Sequence, residues 1–250
     1  SMIGAQVCGE ACVDVEWLLT DSRSLCFPES TLFFAIRTDR GDGHRYVRDL
    51  YERGVRAFVV SDVQEGLTGA VQLLVQDTLT ALQRLAERHR ESYDIPVIGI
   101  TGSNGKTVVK EWLYQMLSPD MAVTRSPRSY NSQIGVPLSV WGLNDNTQIG
   151  IFEAGISRPG EMEALQRIIQ PTIGVFTGLG PAHQENFQSM EQKRQEKMLL
   201  FKDCPVVFEA GDEADALERD RNLCARVCRH LGMSEEVIRE RLQRLEPVAM

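Results

Sequence analysis

The apolar and polar positions follow two alternating patterns along most of the chain. Short apolar runs are typical of buried strands. They predict strands at residues 31–36, 57–60, 71–75, 97–101, 148–153, 172–177 and 205–208. Apolar residues spaced three or four apart predict helices at residues 46–53, 78–92, 106–117, 160–170, 190–202, 214–231 and 234–245. Strands that alternate with helices are typical of an α/β fold, and the regular second part predicts a mostly parallel sheet.

A proline marks the point where this alternation becomes regular. The helical pattern over 78–92 stops before the sequence Tyr93-Asp94-Ile95-Pro96, and a residue that precedes proline favours extended backbone. We therefore expect two domains, residues 1–94 and residues 95–250.

Composition and charge exclude some classes of protein. The 250 residues carry a net charge of −8 at pH 7, which argues against a nucleic-acid binder with a broad basic face. No apolar run approaches the length of a membrane span, and the amino terminus has no pattern of a signal peptide. The six cysteines form no CxxC pair, which favours reduced thiols and a cytoplasmic location.

The most specific motif is a glycine loop, Thr101-Gly102-Ser103-Asn104-Gly105-Lys106-Thr107, between an apolar strand and a helical pattern. Such a loop directs backbone N–H groups at phosphate oxygens, where the amino terminus of a helix also favours an anion. Lys106 can reach the β- and γ-phosphates, and the Thr107 hydroxyl can bind magnesium. The alternative is a glycine turn with an incidental lysine. The predicted nucleotide contacts are Gly102, Ser103, Asn104, Gly105, Lys106 and Thr107.

The compact form of this loop resembles the ATP loop of the Mur ligase superfamily. These enzymes are ATP-dependent amide ligases of peptidoglycan assembly, and folylpolyglutamate synthases share the superfamily. The segment 151–161 resembles the family strand that ends in a metal-binding glutamate, which implies that role for Glu153. Without the loop, a glutamate at a strand end would more often be a solvated or capping group.

Two further segments extend the resemblance. The loop 180–187 resembles the segment that carries a histidine for a second magnesium ion, which implies that role for His183. Lys197 matches the lysine that carbon dioxide carbamylates in these enzymes, and the resulting anion can orient a metal or hold substrate. Only an unprotonated primary amine forms a carbamate. The alternative is that Lys193 and Lys197 belong to a solvated helix face.

Candidate substrate contacts come from two places. The segment 129–137 resembles the family segment after the second strand, where Asn131 and Ser132 could hydrogen-bond substrate or phosphates. A structural turn would account for the same residues. The first domain resembles the one that holds the UDP part of a muramoyl-peptide, and Ser22 and Arg23 suit uracil or diphosphate oxygens. Alone, this pair would fit a surface turn equally well.

Within the superfamily, the pattern most resembles the branch that adds D-alanyl-D-alanine to UDP-N-acetylmuramoyl-tripeptide. It is most similar to the version in Bacteroides-type bacteria, where the ligase can be fused to an alanine racemase. The resemblance implies ATP and Mg²⁺ as cofactors, a carbamylated Lys197, and those two compounds as substrates. Two alternatives are a ligase of the MurE or folylpolyglutamate type and a non-catalytic nucleotide-binding module.

The sequence departs from the family pattern in several respects, of which three bear on function. The third ligase domain, which brings the amino acceptor, is expected to be absent, so we expect this piece to bind ligands and to turn over poorly. The stretch 211–221 is expected to be shortened or to contain a gap. The position of the adenine-contacting asparagine falls on Asp220, which puts adenine recognition in doubt.

Overall fold

In a computed structural model, the chain forms two compact units, residues 1–88 and residues 89–250. The structure describes residues 3–39, 41–180 and 186–248. The division falls inside a helix that spans Thr78–Arg90, a few residues before the boundary that the sequence predicted at residue 94.

The strands of the first unit are β1 Gln6–Cys8, β2 Trp17–Leu19, β3 Thr31–Phe34, β4 Arg37–Thr38, β5 Gly41–Asp42, β6 Ala57–Val60 and β7 Val71–Leu74. Five of them form a sheet with the order β1-β7-β6-β3-β2. Strand β1 runs antiparallel to β7, and the other neighbours are parallel. Strands β4 and β5 form a separate two-stranded ribbon. The helices are α1 Val47–Glu52 and α2 Thr78–Arg90, with 3₁₀ turns at Ser22–Ser24, Pro28–Ser30 and Gly43–Tyr46.

The strands of the second unit are β8 Val97–Thr101, β9 Val123–Arg125, β10 Ile149–Glu153, β11 Ile173–Phe176 and β12 Val206–Glu209. They form a sheet that is parallel throughout, with the order β12-β11-β8-β10-β9. The helices are α3 Lys106–Leu117, α4 Gly135–Val140, α5 Met162–Ile169, α6 Met190–Met198, α7 Ala216–His230 and α8 Glu235–Gln243, with a 3₁₀ turn at Leu199–Phe201.

The apolar runs of the sequence become the buried centre of this second sheet. All five residues of β8 and of β10 are buried, as expected for parallel strands that helices cover on both faces. Helix α3 packs Leu113 and Met116 into the main apolar cluster, where Val227 of α7 also lies. Since parallel strands share a direction, the carboxyl ends of β8, β10 and β11 meet at one edge of the sheet.

The predicted fold class is confirmed, but several elements were not predicted. The sequence analysis missed β1, β2, β4, β5, β9 and α4. Each contains only two to six residues, too few for a period of two or 3.6 to stand out. Residues 210–215 connect β12 to α7. The stretch 211–221, which the sequence analysis expected to be shortened or to contain a gap, therefore forms most of this short loop and the first residues of α7. In the described parts of the chain, no helix has the length and apolar character that crossing a membrane requires.

Candidate active site

The glycine loop lies between β8 and α3, and two of its positions require glycine. Gly102 has a φ of 151° and Gly105 a φ of 81°, a region that side-chain-bearing residues rarely adopt. A Cβ atom on Gly102 would lie 2.1 Å from the Thr177 hydroxyl oxygen, and one on Gly105 would lie 2.9 Å from a carboxylate oxygen of Asp220. Asp220 is therefore beside the loop, and burial raises the pKa of its carboxyl group. Adenine recognition at this position stays untested.

The segment that follows β11 fixes the conformation of the loop. The Ser103 backbone N–H donates to Gly178 O at 2.9 Å, and the Thr177 hydroxyl donates to Asn104 O at 2.5 Å. The Ser103 hydroxyl donates to Gly180 O at 3.2 Å. The loop is thus held by a segment that lies more than seventy residues later in the sequence.

Two lysines converge on one carbonyl oxygen of the loop. Lys106 Nζ lies 3.0 Å from Gly102 O and 3.4 Å from Ser103 O, and Lys197 Nζ donates to Gly102 O at 3.1 Å. Burial lowers the pKa of Lys197 to about 8, and the charges of Lys106 and Lys193 contribute to this shift. Burial also lowers the pKa of Lys106, although Glu153 partly opposes this. Closely placed cations of this kind favour a ligand with several negative charges.

Glu153 stands at the carboxyl end of β10 and is fully buried. The Thr107 hydroxyl donates to its Oε2 at 3.2 Å, and the Asn131 side-chain amide donates to the same oxygen at 3.4 Å. Its Oε1 lies 3.1 Å from Lys110 Nζ and has no partner in hydrogen-bond geometry among the described residues. A buried carboxylate whose Oε2 lies beside a threonine hydroxyl offers the oxygen ligands that Mg²⁺ takes, so Thr107 and Glu153 fit a magnesium ion.

The protein itself would supply only part of the coordination of that ion. Among residues 3–39, 41–180 and 186–248, no group of three or more His, Cys, Asp and Glu side chains is arranged to hold a metal. Magnesium commonly binds through one or two protein oxygens together with substrate phosphates and water. His183, the predicted ligand of a second ion, lies outside the described residues.

A pocket of about 310 Å³ opens beside the loop. It is lined by the glycine loop and by the segments 131–134 and 155–157, together with Glu161 and Lys197. Lys106 is among the loop residues that line it. Both predicted substrate contacts on this side, Asn131 and Ser132, are pocket residues. The Ser132 hydroxyl also accepts from the Gly135 N–H at 3.1 Å where α4 begins, so it has the structural role that was the alternative to substrate binding.

Lys110 is a residue of this site that the sequence analysis did not single out. It lies one helical turn after Lys106 and is fully buried. Its ammonium contacts Glu153, donates to Ser126 O at 2.9 Å, and donates to the carbonyl oxygen of Arg128. The scarcity of lysine could have pointed to it, because the chain has only five lysines and two of them are Lys106 and Lys110.

The predicted UDP contacts lie in the first unit. Asp21 caps the 3₁₀ turn at Ser22–Ser24 by accepting from the Arg23 N–H. Ser22 is buried, and the Arg53 guanidinium donates to its carbonyl oxygen at 2.9 Å. The Arg23 side chain is 87% exposed and pairs with Asp21 at 2.6 Å. The role of Ser22 and Arg23 in binding UDP stays a prediction.

A strand, a glycine loop and a helix that begins with Lys106 and Thr107, with Glu153 on the adjacent strand, define an α/β domain of the phosphate-loop class. The sequence profile of the Mur ligase middle domain matches residues 100–242, which is more than half of the chain. The chain belongs to the Mur ligase family.

Curated relatives point to one branch of this family. The chain is 34% identical to the UDP-N-acetylmuramoyl-tripeptide–D-alanyl-D-alanine ligase of Bacillus subtilis over 203 residues, which are 80% of this chain and 44% of that protein. It is 38% identical to the ligase of the same name from Synechocystis over 167 residues, which are 66% of this chain and 36% of that protein. The chain thus spans less than half the length of these relatives.

Solved structures agree with this relationship. MurF from Acinetobacter baumannii superposes with a TM-score of 0.84 over 92% of this chain and 63% of that chain, at 22% identity. This likeness shows a shared fold. MurF from Thermotoga maritima in complex with ADP gives a TM-score of 0.69 at 26% identity, over 83% of this chain and 48% of that chain. The predicted resemblance to the superfamily and to its D-alanyl-D-alanine-adding branch is confirmed.

Proposed function

We propose that this chain carries the nucleotide-binding parts of an ATP-dependent ligase that joins D-alanyl-D-alanine to UDP-N-acetylmuramoyl-tripeptide in peptidoglycan synthesis. The observation that supports this most directly is the convergence of side chains at the carboxyl edge of the second sheet. There, Lys106 and Lys197 meet at one loop carbonyl, and Thr107 meets Glu153. The names of the relatives from Bacillus subtilis and Synechocystis support the choice of substrates.

The reaction requires the γ-phosphoryl group to pass to a carboxylate. The glycine loop and Lys106 hold the phosphates, so that negative charge on the γ-phosphoryl oxygens is stabilised as ADP departs. The terminal carboxylate of the tripeptide attacks the γ-phosphorus, which gives an acyl phosphate. The amine of D-alanyl-D-alanine then adds to the acyl carbon, and the tetrahedral intermediate collapses to the amide with release of phosphate and a proton.

Thr107 and Glu153 would hold a magnesium ion in this site. When bound, the ion would neutralise charge on the phosphate oxygens. Lys110 contacts the other oxygen of Glu153 and so keeps that carboxylate at the end of β10. A second ion at His183, a location in the cytoplasm and a racemase fused to the native protein stay predictions.

The environment of Lys197 also supports a carbamate at its Nζ. The side chain is almost completely buried, and its pKa of about 8 leaves a substantial fraction of the amine neutral near that pH. The neutral nitrogen attacks carbon dioxide, an N–C bond forms, and one proton is released to solvent. The product replaces a buried cation by an anion beside Lys106 and Lys193, whose positive charges stabilise it.

With ¹³C-labelled carbon dioxide, we expect a carbamate signal in the ¹³C NMR spectrum of the chain. At a fixed concentration of carbon dioxide, the signal should grow as the pH rises through about 8, because the neutral fraction of Lys197 increases across its pKa. Lys197→Arg should remove the signal, and Lys202→Arg, which changes an exposed lysine nearby, should keep it. A signal that survives in Lys197→Arg would place the carbamate elsewhere.

Calorimetric titration tests the proposed substrates with the 250-residue chain. We expect Mg·ATP and UDP-N-acetylmuramoyl-tripeptide each to bind, and the corresponding dipeptide nucleotide, which MurE-type ligases use, to bind at least about tenfold more weakly. Preference for the dipeptide nucleotide or for a folate would favour the other ligases. Binding of ATP without any muramoyl-peptide nucleotide would favour a non-catalytic nucleotide-binding module.

A further inference from the structure

Lysines have an unusual distribution in this protein. Of the 27 lysines and arginines, only five are lysines. Lys110, Lys193 and Lys197 are 0%, 1% and 3% exposed, and Lys106 lies at the adjoining phosphate loop. Lys202 is the exposed one. The alternative prediction of a solvated helix face for Lys193 and Lys197 is therefore wrong, because both ammonium groups point into the protein.

Lys193 contacts the segment that holds the phosphate loop. It lies on α6, one helical turn before Lys197, and its Nζ donates to Gly180 O at 2.5 Å. The same carbonyl oxygen accepts from the Ser103 hydroxyl at 3.2 Å. One acceptor therefore links a buried ammonium group to a side chain of the phosphate loop.

A buried ammonium group is expensive to maintain when packing is the only requirement. Transfer of a lysine charge from water to a protein interior is strongly unfavourable before its partners compensate. A methionine of similar length would fill the same space without that cost. The charge of Lys193 acts on the site itself, because it contributes to the lowered pKa values of both Lys106 and Lys197.

We propose that Lys193 is a positioning residue of the nucleotide site, which holds Ser103 through the Gly180 carbonyl and favours ligands with more phosphate groups. This inference rests on the proposed binding of a nucleoside triphosphate. The hydrogen bonds keep the loop in the conformation that receives phosphate, and the ammonium charge makes each added phosphate more favourable. Lys193 takes no part in proton or phosphoryl transfer.

Lys193→Met tests this role, with Arg194→Met as the matched control. Arg194 follows on the same helix, is partly exposed and pairs with Glu209, so its replacement removes the same charge outside the site. Dissociation constants for adenosine, AMP, ADP and ATP are measured by calorimetry in EDTA, so that no metal contributes. We expect Lys193→Met to weaken ATP about 10- to 100-fold and AMP less than about threefold, whereas Arg194→Met leaves the series unchanged.

Two further variants separate charge from geometry. Lys193→Gln keeps an N–H donor for Gly180 O without the charge, so it should recover part of the ATP affinity while the dependence on phosphate number stays reduced. It also decides the role of the charge if Lys193→Met does not fold, as checked by circular dichroism. In a double-mutant cycle with Ser103→Ala, the combined loss should be smaller than the sum of the single losses, because both side chains act on one carbonyl.

The outcomes distinguish this inference from the proposed function. Equal losses of affinity for all four ligands, or strictly additive losses in the cycle with Ser103→Ala, would mean that Lys193 has only a structural role. Either result would overturn the inference. In that case the unmodified chain would still bind ATP more tightly than AMP. If the unmodified chain gains no affinity with added phosphates, the proposed nucleotide site is wrong, and the role of Lys193 is lost with it.

Discussion

Replacement of Lys106 by methionine is expected to abolish high-affinity binding of Mg·ATP while the fold survives. Lys106 is the first residue of α3, and among the described residues its ammonium donates only within the glycine loop, to Gly102 O and to Ser103 O. Loss of a partly buried charged donor to phosphate costs about 2–5 kcal/mol, which corresponds to about 30-fold or more in the dissociation constant. We expect a loss of about 100-fold or more for ATP, with the loss for ADP smaller.

The control for this prediction is Lys202→Met. Lys202 is exposed and follows the 3₁₀ turn Leu199–Phe201, so its replacement changes the net charge equally without touching the loop. Calorimetry with Mg·ATP measures the affinity, and urea unfolding measures the stability of both variants. If Lys106→Met bound ATP as tightly as Lys202→Met, the glycine loop would not be a triphosphate site, and the proposed ligase function would fail.

Replacement of Lys110 by methionine is expected to reduce stability more than any other single change proposed for this protein. Lys110 and Glu153 are both fully buried, with Nζ and Oε1 3.1 Å apart. Removal of one partner of a buried ion pair costs about 3–5 kcal/mol, because the other charge stays in the interior without compensation. The Ser126 and Arg128 carbonyls also lose their donor. A loss of this size is a large part of the usual free energy of unfolding.

The double variant Lys110→Met with Glu153→Gln isolates the pair. The amide that replaces the Glu153 carboxylate is neutral, so no unpaired charge stays buried when the Lys110 ammonium is removed. The double variant should therefore recover part of the stability that Lys110→Met loses. Urea unfolding of the four proteins in the cycle gives the coupling free energy. A double variant whose loss equals the sum of the two single losses would mean that the two charges do not stabilise each other. Binding of Mg·ATP should stay weak in the double variant, because Glu153 no longer offers a charged oxygen to the metal.

The sequence predicted the candidate site residues that belong to one continuous motif. The glycine loop specifies its own backbone, since Gly102 and Gly105 adopt φ values that other residues avoid. It also places Lys106 at the amino terminus of a helix, where phosphate binds. Glu153 and Lys197 required the family resemblance, because a glutamate at a strand end and a lysine on a polar helix are, in most proteins, solvated surface groups.

The sequence analysis assigned no role to Lys110 and Lys193, for the same physical reason. A helical period indicates which residues share a face, but it does not indicate what packs against that face. Helix α6 is strongly polar and has the pattern of a solvated helix, yet its Lys193 and Lys197 reach toward carbonyl groups of the segments after β8 and β11. Strand β9 was missed for the same reason, because its three residues form a strand only through pairing with β10.

The sequence by itself determined the alternation of strands and helices, the phosphate loop and the family, because these depend on local backbone preferences and on residues that are close along the chain. Only the tertiary structure decided which charged groups are buried and which meet. The strand order β12-β11-β8-β10-β9 brings Glu153 next to the loop, and α6 carries Lys197 to a carbonyl 95 residues earlier in the chain. Burial and pKa depend on distance in space, and that distance is fixed only when separate segments pack together.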